Sequence, residues 1–216
     1  MEIRQLILRL QTPSGEKPHY KVGPILARAE QREVEEAICL HYKKAVEKRN
    51  KEFLPDSHTI AKINLAAKWI CQSKNFGLVL YGNIGSGKTM LLMALHSLFL
   101  GVGYNYPRMA FLTASMLYKH FAAEDSEGVY KMALECEILL LDDLGCEPES
   151  CMIYGVHHHP ITDIIYERYR YQRTTIITTN LTEAELTRRY GPRVTDRLEE
   201  SFDFISYTNP SYRKRR

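Results

Sequence analysis

The chain of 216 residues is long enough for one complete α/β core with a modest extension. Hydrophobic residues make up 44% and charged residues 25% of it, as in ordinary soluble globular proteins, and the formal net charge of +3 permits contact with nucleic acid without requiring it. The sequence has no secretory signal pattern, no apolar run of the roughly 20 residues that a membrane span needs, and no cysteine pattern typical of a disulfide framework. We therefore expect a cytoplasmic protein that does not cross a membrane.

The first 54 residues predict a short helical extension. Residues 25–53 contain neither glycine nor proline, and apolar residues recur there at helical spacing: Leu26, Val34, Ile38, Tyr42 and Val46. This apolar stripe either docks a partner protein or packs on the protein's own core. A proline and Asp56 then predict the end of this helix and the start of a second one, which runs to about Ser73.

Five short β-rich apolar runs follow, and helical stretches separate the first four of them. The runs cover residues 77–82, 109–114, 136–143, 174–180 and 202–207. Runs that are apolar on both faces and alternate with helices are typical of a parallel sheet covered by helices on each side. The sequence thus predicts an α/β core over residues 55–210. A basic tail over 211–216 either frays into solvent or contacts phosphate.

The first predicted strand leads into a glycine-rich turn that fits the pattern G-x-x-x-x-G-K-[ST] at every fixed position. Because glycines let the backbone wrap tightly, consecutive N–H groups at the start of a helix can point at nucleotide phosphates. Lys88 is expected to reach the β- and γ-phosphates, and the Thr89 hydroxyl is expected to bind Mg²⁺. The predicted nucleotide-binding residues are Gly82, Asn83, Ile84, Gly85, Ser86, Gly87, Lys88, Thr89 and Met90.

Polar side chains end two other predicted strands. Asp142 and Asp143 follow four apolar residues, at the carboxyl edge where open α/β sheets bind ligands. We expect Asp142 to hold Mg²⁺ and Asp143 to orient and polarise an attacking water. Asn180 ends a further strand, where it can contact the γ-phosphate or this water.

The spacing between these residues bears on the class of protein. A complete helix–strand–helix passage separates Lys88 from Asp142, so the acid strand is not simply the next one after the loop. The sequence lacks a clear lid arginine cluster of the kind that P-loop small-molecule kinases use. It therefore favours a nucleotide hydrolase that couples nucleotide state to movement.

Four segments carry a resemblance to a known family: YGNIGSGKT, ILLLDDLG, YERYRYQRTTIITTNLT and RYGPRVTDRLEES. In this order, over about residues 55–210, they resemble the AAA+ ATPases of the DnaC/IstB-like family, which are bacterial replicative helicase loaders and helper ATPases of transposition. The resemblance implies a AAA+ P-loop NTPase of the ASCE type without a C-terminal lid domain, with ATP and Mg²⁺ as its ligands. It identifies the glycine-rich turn as Walker A, Asp142 and Asp143 as Walker B, and Asn180 as sensor 1.

The resemblance also implies that an arginine completes the active site of a neighbouring subunit. Arg193 and Arg197 both fit this position, with Arg197 slightly preferred, and a local salt bridge with a neighbouring acid is the alternative for each. An arginine supplied in trans stabilises charge on the γ-phosphate and makes hydrolysis conditional on assembly. Asp143 stands where many AAA+ proteins have glutamate, so hydrolysis is expected to be slow.

The function that follows from the resemblance is that of a helicase-loader-like ATPase in DNA replication. ATP binding would promote its assembly on single-stranded DNA or on a replicative helicase, and hydrolysis would release it. Within the fold, a transposition helper that serves a transposase is the first alternative. An ATP-bound adaptor that scarcely hydrolyses ATP is the second, and a small-molecule kinase is the third.

Two groups of residues invite further interpretations. Cys146, Cys151, His157 and His159 form either a zinc site with unusual spacing or a plain loop. By the resemblance, the segment 113–135 touches single-stranded DNA through Tyr118, Lys119, His120 and Lys131; the alternative is a pair of amphipathic helices packed on the sheet.

Alternating tyrosines and arginines between residues 166 and 173 likewise suggest contact with nucleic acid. At helical spacing, however, Tyr166 and Tyr169 are expected to be packing residues. The arginines of this segment, which include Arg168, are then expected on an interface.

Overall fold

The computed structural model describes residues 29–123 and 126–214. The α-helices are α1 (Gln31–Glu47), α2 (Ser57–Gln72), α3 (Lys88–Gly101), α4 (Ala114–Ala122), α5 (Lys131–Glu135), α6 (Pro160–Arg170), α7 (Glu183–Tyr190) and α8 (Pro192–Ser201). The strands are β1 (Gly77–Gly82), β2 (Met109–Thr113), β3 (Ile138–Leu144), β4 (Cys151–Ile153), β5 (Val156–His158), β6 (Thr174–Thr179) and β7 (Phe202–Tyr207). A π-helical turn covers Ser126–Tyr130, and a 3₁₀ turn covers Tyr212–Lys214.

Five parallel strands form the main sheet in the order β2-β3-β6-β1-β7. These are the five predicted strands, and their bounds agree with the prediction to within two residues. Strand β6 lies between β1, which leads into the glycine-rich loop, and β3, which carries the two acids. As expected, the acid strand is not the next one after the loop, since β2 lies between β1 and β3 along the chain.

Both faces of the sheet are buried, as the apolar runs predict. Leu78 and Leu80 of β1 belong to a core beneath α1, α2 and α3, whereas Val79 belongs to a second core beneath α4 to α8. Alternate residues of a strand point to opposite faces, so a strand between two helical layers is expected to be largely apolar on both faces. The predicted α/β fold with helices on both faces is confirmed.

Helix α1 packs on the protein's own core. Val34, Ile38 and Tyr42 on one face are at most 6% exposed, and they pack with residues of α2 and α3 in one hydrophobic cluster. Of the two interpretations of the apolar stripe, the structure supports packing on the core rather than docking of a partner. Leu26 of this stripe lies outside the described residues, and the domain division at residue 54 stays a prediction.

Helix α2 begins where the sequence places it. The Asp56 carboxylate accepts a hydrogen bond from the backbone N–H of Thr59 at 2.8 Å, which satisfies one of the free N–H groups of the first turn.

Arg168 is buried and not on an interface, so this prediction is wrong. Its guanidinium is 1% exposed and lies at the amino edge of the sheet. Its four shortest hydrogen bonds to oxygen go to Ala133 O at 2.8 Å, Cys136 O at 2.9 Å, Thr174 O at 2.6 Å and Thr175 Oγ1 at 2.8 Å. Arginine has five donors in a planar fork, so it can satisfy several carbonyl groups that a strand end leaves free.

The antiparallel hairpin β4–β5 falls in a stretch that the sequence predicts as irregular. Its two turn residues, Tyr154 and Gly155, have φ angles of 49° and 78°. Positive φ at both central residues is typical of the tight turns that match the twist of a hairpin. Tyrosine rarely takes this conformation, so the usual sequence signal for such a turn is missing. Within the ranges that the structure describes, no helix is both long and apolar enough to cross a membrane.

Candidate nucleotide-binding site

A cavity of about 350 Å³ opens at the carboxyl edge of the sheet. Residues Ile84 to Met90 of the loop and the start of α3 form one wall, and Asp143 and Asn180 line it from the ends of β3 and β6. Three segments that are far apart in the sequence thus meet at one cavity, because the carboxyl ends of parallel strands lie at the same edge.

The loop after β1 is held close to the end of β7. Gly82 has a φ angle of 119°, and a Cβ atom at this position would lie 2.4 Å from the Tyr207 carbonyl oxygen. The backbone N–H of Asn83 donates to that same oxygen at 2.8 Å. Only glycine allows this close approach, which directs the loop over the start of α3.

The Lys88 ammonium group is buried among oxygen atoms of the loop and of β6. It donates to the carbonyl oxygens of Gly82 at 2.8 Å and Asn83 at 2.7 Å, and to Asn180 Oδ1 at 2.7 Å. Burial lowers the pKa of Lys88 to about 8, although the nearby carboxylates of Asp143 and Asp142 oppose this shift. A cation held in this way can be transferred from carbonyl oxygens to phosphate oxygens with little movement of the loop.

The lowered pKa of Lys88 has a measurable consequence for nucleotide binding. The negative charge of the phosphates favours the protonated form of Lys88, so nucleotide binding should raise the pKa of this amine. Protein molecules in which Lys88 is deprotonated should then take up a proton from solution when they bind nucleotide. At pH 8.5 we expect roughly 0.7 proton taken up per nucleotide. Calorimetric titration with ATP in two buffers of different ionisation enthalpy measures this number. Lys88→Arg is the matched control, since arginine stays protonated at this pH. If the unaltered protein takes up no proton when it binds ATP at this pH, the lowered pKa of Lys88 is contradicted.

The two acids after β3 differ in their surroundings. Asp142 is 5% exposed, and its Oδ1 accepts hydrogen bonds from the Thr89 hydroxyl at 3.1 Å and from the Thr178 hydroxyl. Burial raises the pKa of Asp142, whereas the bond from Thr178 acts in the opposite direction. The hydroxyl and the carboxylate that the sequence assigns to Mg²⁺ are therefore in direct contact. Oxygen ligands of this kind suit that cation.

Asp143 takes a backbone conformation that few side chains adopt. Its φ angle is 55°, at the irregularity in the β3–β6 register between Leu141 and Leu144. Aspartate tolerates this left-handed conformation better than most residues. Because the strand breaks its alternation here, both neighbouring acids serve the same edge of the sheet, and Asp143 lines the cavity.

Thr178 is a site residue that sequence reasoning missed. Its hydroxyl donates to Asp142 Oδ1 and accepts the Asp143 N–H at 2.9 Å, so it links both acids to β6. The available signal was a hydroxyl in the middle of a fully buried strand, which needs a hydrogen-bonding partner.

The wall of the cavity that α1 and the segment after it form was also missed. Tyr42 and Val46 of α1, with Phe53 and Leu54 after it, line this region. The rings of Tyr42 and Phe53 lie 5.5 Å apart, centre to centre. Arg49, Lys51 and Glu52 of the same segment also line the cavity, so apolar and aromatic surface is combined here with charged groups, as pockets for organic ligands require. The stripe of α1 thus has a second role in forming the cavity.

Arg193 and Arg197 of α8 do not line the cavity of their own subunit. Arg193 is exposed and forms no hydrogen bond or ion pair with any residue that the structure describes. The Arg197 guanidinium stacks over the rings of Tyr166 at 4.6 Å and Tyr169 at 5.0 Å. Both positions are compatible with contact to another subunit, but the two side chains differ in how freely they can move.

The zinc interpretation finds no support. Cys151 and His157 lie on β4 and β5, and Cys146 is exposed in the segment before them. Among the described residues, no group of three or more histidine, cysteine or acidic side chains could hold a metal ion.

The helices of the proposed DNA segment bury one face and expose the other. Ala114 and Leu117 of α4 are fully buried, whereas Lys119 on α4 and Lys131 on α5 are exposed. Tyr118 donates to the Ser150 carbonyl oxygen at 3.2 Å. The predicted amphipathic packing is present, and the exposed lysines remain available to a ligand.

Comparison with known proteins agrees with the interpretation of the sequence motifs and of the site geometry. A family model described as IstB-like ATP binding protein matches residues 26–216. The search of curated proteins found no match.

Several solved structures share the fold. The DnaC helicase loader is 20% identical with a TM-score of 0.56, over 77% of this chain and 98% of that chain. DnaI is 20% identical with a TM-score of 0.55, over 75% and 88% of the two chains. The replication initiator DnaA bound to AMPPCP and single-stranded DNA is 17% identical with a TM-score of 0.56, over 77% and 50%. At these identities the similarity establishes the AAA+ fold alone. The family model, however, spans most of the sequence, and the chain therefore belongs to the IstB-like ATP-binding proteins of the DnaC/IstB-like AAA+ family.

Proposed function

We propose that the protein is a cytoplasmic ATPase of DNA replication that assembles on single-stranded DNA or on a partner helicase, in the manner of a helicase loader. The observation that carries this proposal is the convergence of Lys88, Asn180 and Asp143 on one cavity from three different elements. A site that binds phosphate needs only the loop. Asp143 and Asn180 add an acid and an amide at the γ-phosphate end of the cavity, and these two groups favour hydrolysis of the nucleotide.

Each residue of the site has a part in this proposal. The backbone N–H groups between Gly85 and Thr89 hold the phosphates at the start of α3, and Lys88 neutralises the β- and γ-phosphates. Asp143 orients and polarises the attacking water, and Asn180 contacts the γ-phosphate or that water. Met90 contributes an apolar contact at the cavity wall.

The contact between Thr89 and Asp142 fits a magnesium ion bound with the nucleotide. These two residues would hold the ion, which supplies charge neutralisation at the β- and γ-phosphate oxygens. Thr178 supports this arrangement because it fixes the Asp142 carboxylate by a hydrogen bond. A ligand whose orientation is fixed by a second residue loses less freedom when the ion binds.

Assembly would complete the site through an arginine from a second copy of the chain. Arg193 is the more accessible donor, whereas Arg197 must first leave the faces of Tyr166 and Tyr169. Exposed cation–π contacts are worth about 0.5–1 kcal/mol, so either arginine can reach a neighbouring phosphate at small cost.

Single-stranded DNA is the proposed nucleic-acid partner. Lys119 and Lys131 supply exposed positive charge on helices next to β2 and β3. A DnaA initiator of the same fold was solved with single-stranded DNA, which supports the choice of ligand. The family name favours a second candidate, a transposition helper that serves a transposase. A stable complex with a transposase, and none with a replicative helicase, would select that alternative.

The experiment that tests the proposal measures ATP binding and phosphate release with and without single-stranded DNA. Lys88→Ala removes a buried charge from the phosphate site, so ATP binding is expected to weaken about 100-fold and turnover to vanish. Lys68→Ala, an exposed lysine on α2, is the matched control and should behave like the unaltered protein.

Other outcomes separate the alternatives. Lys88-dependent binding without turnover, even with DNA and partner present, identifies an adaptor. Transfer of phosphate to a small acceptor by a monomer identifies a kinase. If Lys88→Ala binds ATP as tightly as the unaltered protein, the proposed site is wrong.

A further inference from the structure

The segment that follows β7 lies against the glycine-rich loop, and we call residues 208–213 the strap. The Asn83 amide donates to the carbonyl oxygens of Thr208 at 2.9 Å and Asn209 at 3.2 Å. The Asn209 amide donates to Ser86 O at 3.1 Å, and the Tyr212 N–H donates to Gly85 O at 2.9 Å. For residues 211–213 the interpretation as a solvated tail is therefore wrong, because the strap is hydrogen-bonded along the phosphate loop.

The Tyr212 side chain ties the strap to a second element. Its hydroxyl lies 2.9 and 3.0 Å from the two carboxylate oxygens of Asp56, the residue that caps α2. The ring lies close to the loop, since a Cβ atom at Gly87 would be 3.5 Å from it. The strap is thus held in place by hydrogen bonds of its backbone and of the Tyr212 side chain, and it forms a wall of the site.

Gly85 shows how closely the strap approaches the loop. A Cβ atom at this position would lie 2.2 Å from Ser211 Oγ and 3.3 Å from Arg213 Cγ. Gly85 also has a φ angle of 75°, so a larger residue is excluded both by space and by backbone conformation. The aliphatic stem of Arg213 consequently crosses directly over the loop that is proposed to hold the phosphates.

Arg213 brings positive charge to the same cavity as Lys88. It lines the cavity wall and contributes to the lowered pKa of Lys88 by charge repulsion. It forms no ion pair with a carboxylate among the residues that the structure describes. Two neighbouring cations repel each other, and this repulsion is relieved when an anion enters the cavity between them.

We propose that Arg213 is a phosphate ligand, supplied by the strap of the same subunit that supplies Lys88. This inference rests on the proposed nucleotide-binding function and adds a residue to it. The strap carries Arg213 from the carboxyl end of β7 to the loop, so the triphosphate is bound between α3 on one side and the strap on the other. This arginine differs from Arg193 and Arg197, since it acts within one subunit and needs no assembly.

The test compares the binding of ATP, ADP and adenosine to variants of the full chain by competition with a fluorescent nucleotide. Arg213→Ala is expected to weaken ATP and ADP binding about 10-fold, the size of one charge-assisted hydrogen bond, and to leave adenosine binding unchanged. Arg213→Lys should retain most of the affinity because it keeps the charge. Arg32→Ala removes an exposed arginine from α1 and is the matched control for a general change in charge.

The results separate this inference from the function on which it rests. If the unaltered protein binds ATP in a Lys88-dependent way and Arg213→Ala binds it equally well, Arg213 is not a ligand although the site stands. If Arg213→Ala loses as much affinity for adenosine as for ATP, the assignment of Arg213 as a phosphate ligand is overturned as well. If the unaltered protein does not bind ATP, the proposed function fails together with the inference.

Discussion

Asp143→Asn is expected to bind ATP with nearly unchanged affinity and to hydrolyse it about 10²- to 10⁴-fold more slowly, the range that positioned acid–base groups contribute. The asparagine amide has the same size as the carboxylate, but it cannot accept a proton from water. Asparagine also tolerates the positive φ angle at this position, so the backbone after β3 should keep its conformation. Binding and single-turnover phosphate release, measured on the same preparation, check both parts of this expectation.

Asp142→Asn provides the comparison for this experiment. Asp142 contacts Thr89 and Thr178, and its proposed role is to hold the metal ion. Its replacement should therefore change the magnesium concentration that is needed for binding, whereas Asp143→Asn should not. If Asp143→Asn hydrolyses ATP at the normal rate, the water-orienting role belongs to another residue.

Loss of the arginine that reaches a neighbouring subunit is expected to lower stimulated turnover about 10³-fold, with ATP binding retained. Arg193→Ala and Arg197→Ala serve as each other's control, because both remove one positive charge from α8. The exposed position of Arg193 favours a loss in Arg193→Ala, whereas the sequence resemblance favours Arg197. The decisive measurement is ATP turnover in the presence of single-stranded DNA or partner.

A mixing experiment shows whether the arginine acts between subunits. Asp143→Asn subunits keep both arginines but cannot hydrolyse ATP, and arginine-deficient subunits keep Asp143 but cannot complete a neighbour's site. A mixture of the two should recover part of the activity that each lacks alone. No recovery, together with full activity of both arginine variants, would contradict a shared active site.

The parts of the fold that could be predicted from the sequence depend on local pattern. The five strands stand out as short runs rich in apolar and β-branched residues, and the glycines of the phosphate loop indicate its tight backbone conformation. Asp142, Asp143 and Asn180 could be assigned to one edge because parallel strands of a single sheet end together. These features need no knowledge of which distant segments pack against each other.

The features that escaped prediction arise from long-range packing. Tyr42 and Tyr212 are far apart in the sequence, and only the closed fold brings α1 and the strap to the same loop. The basic residues at the end of the sequence are typical of a solvated tail, so the contacts of Arg213 could not be inferred from composition.

For Arg168 a local signal was available. It lies four residues after Ile164 and seven after Ile161, so it falls on the buried face of α6. A charged residue on an apolar helical face must find partners inside the protein, and here the partners are carbonyl groups of distant segments.

The buried Arg168 has a consequence for how the domain opens. Its guanidinium donates to oxygen atoms of α5 and the residue after it and to the start of β6, while its own backbone belongs to α6. Removing any one of these pieces would leave N–H groups of a buried charge without acceptors, at a cost of about 1–3 kcal/mol or more for each group. Partial unfolding from this side is therefore disfavoured, and the three pieces should exchange their amide hydrogens as one cooperative unit. The amino edge of the sheet, opposite the candidate nucleotide-binding cavity, should therefore stay rigid, and we expect any movement in the proposed ATPase cycle at the carboxyl edge.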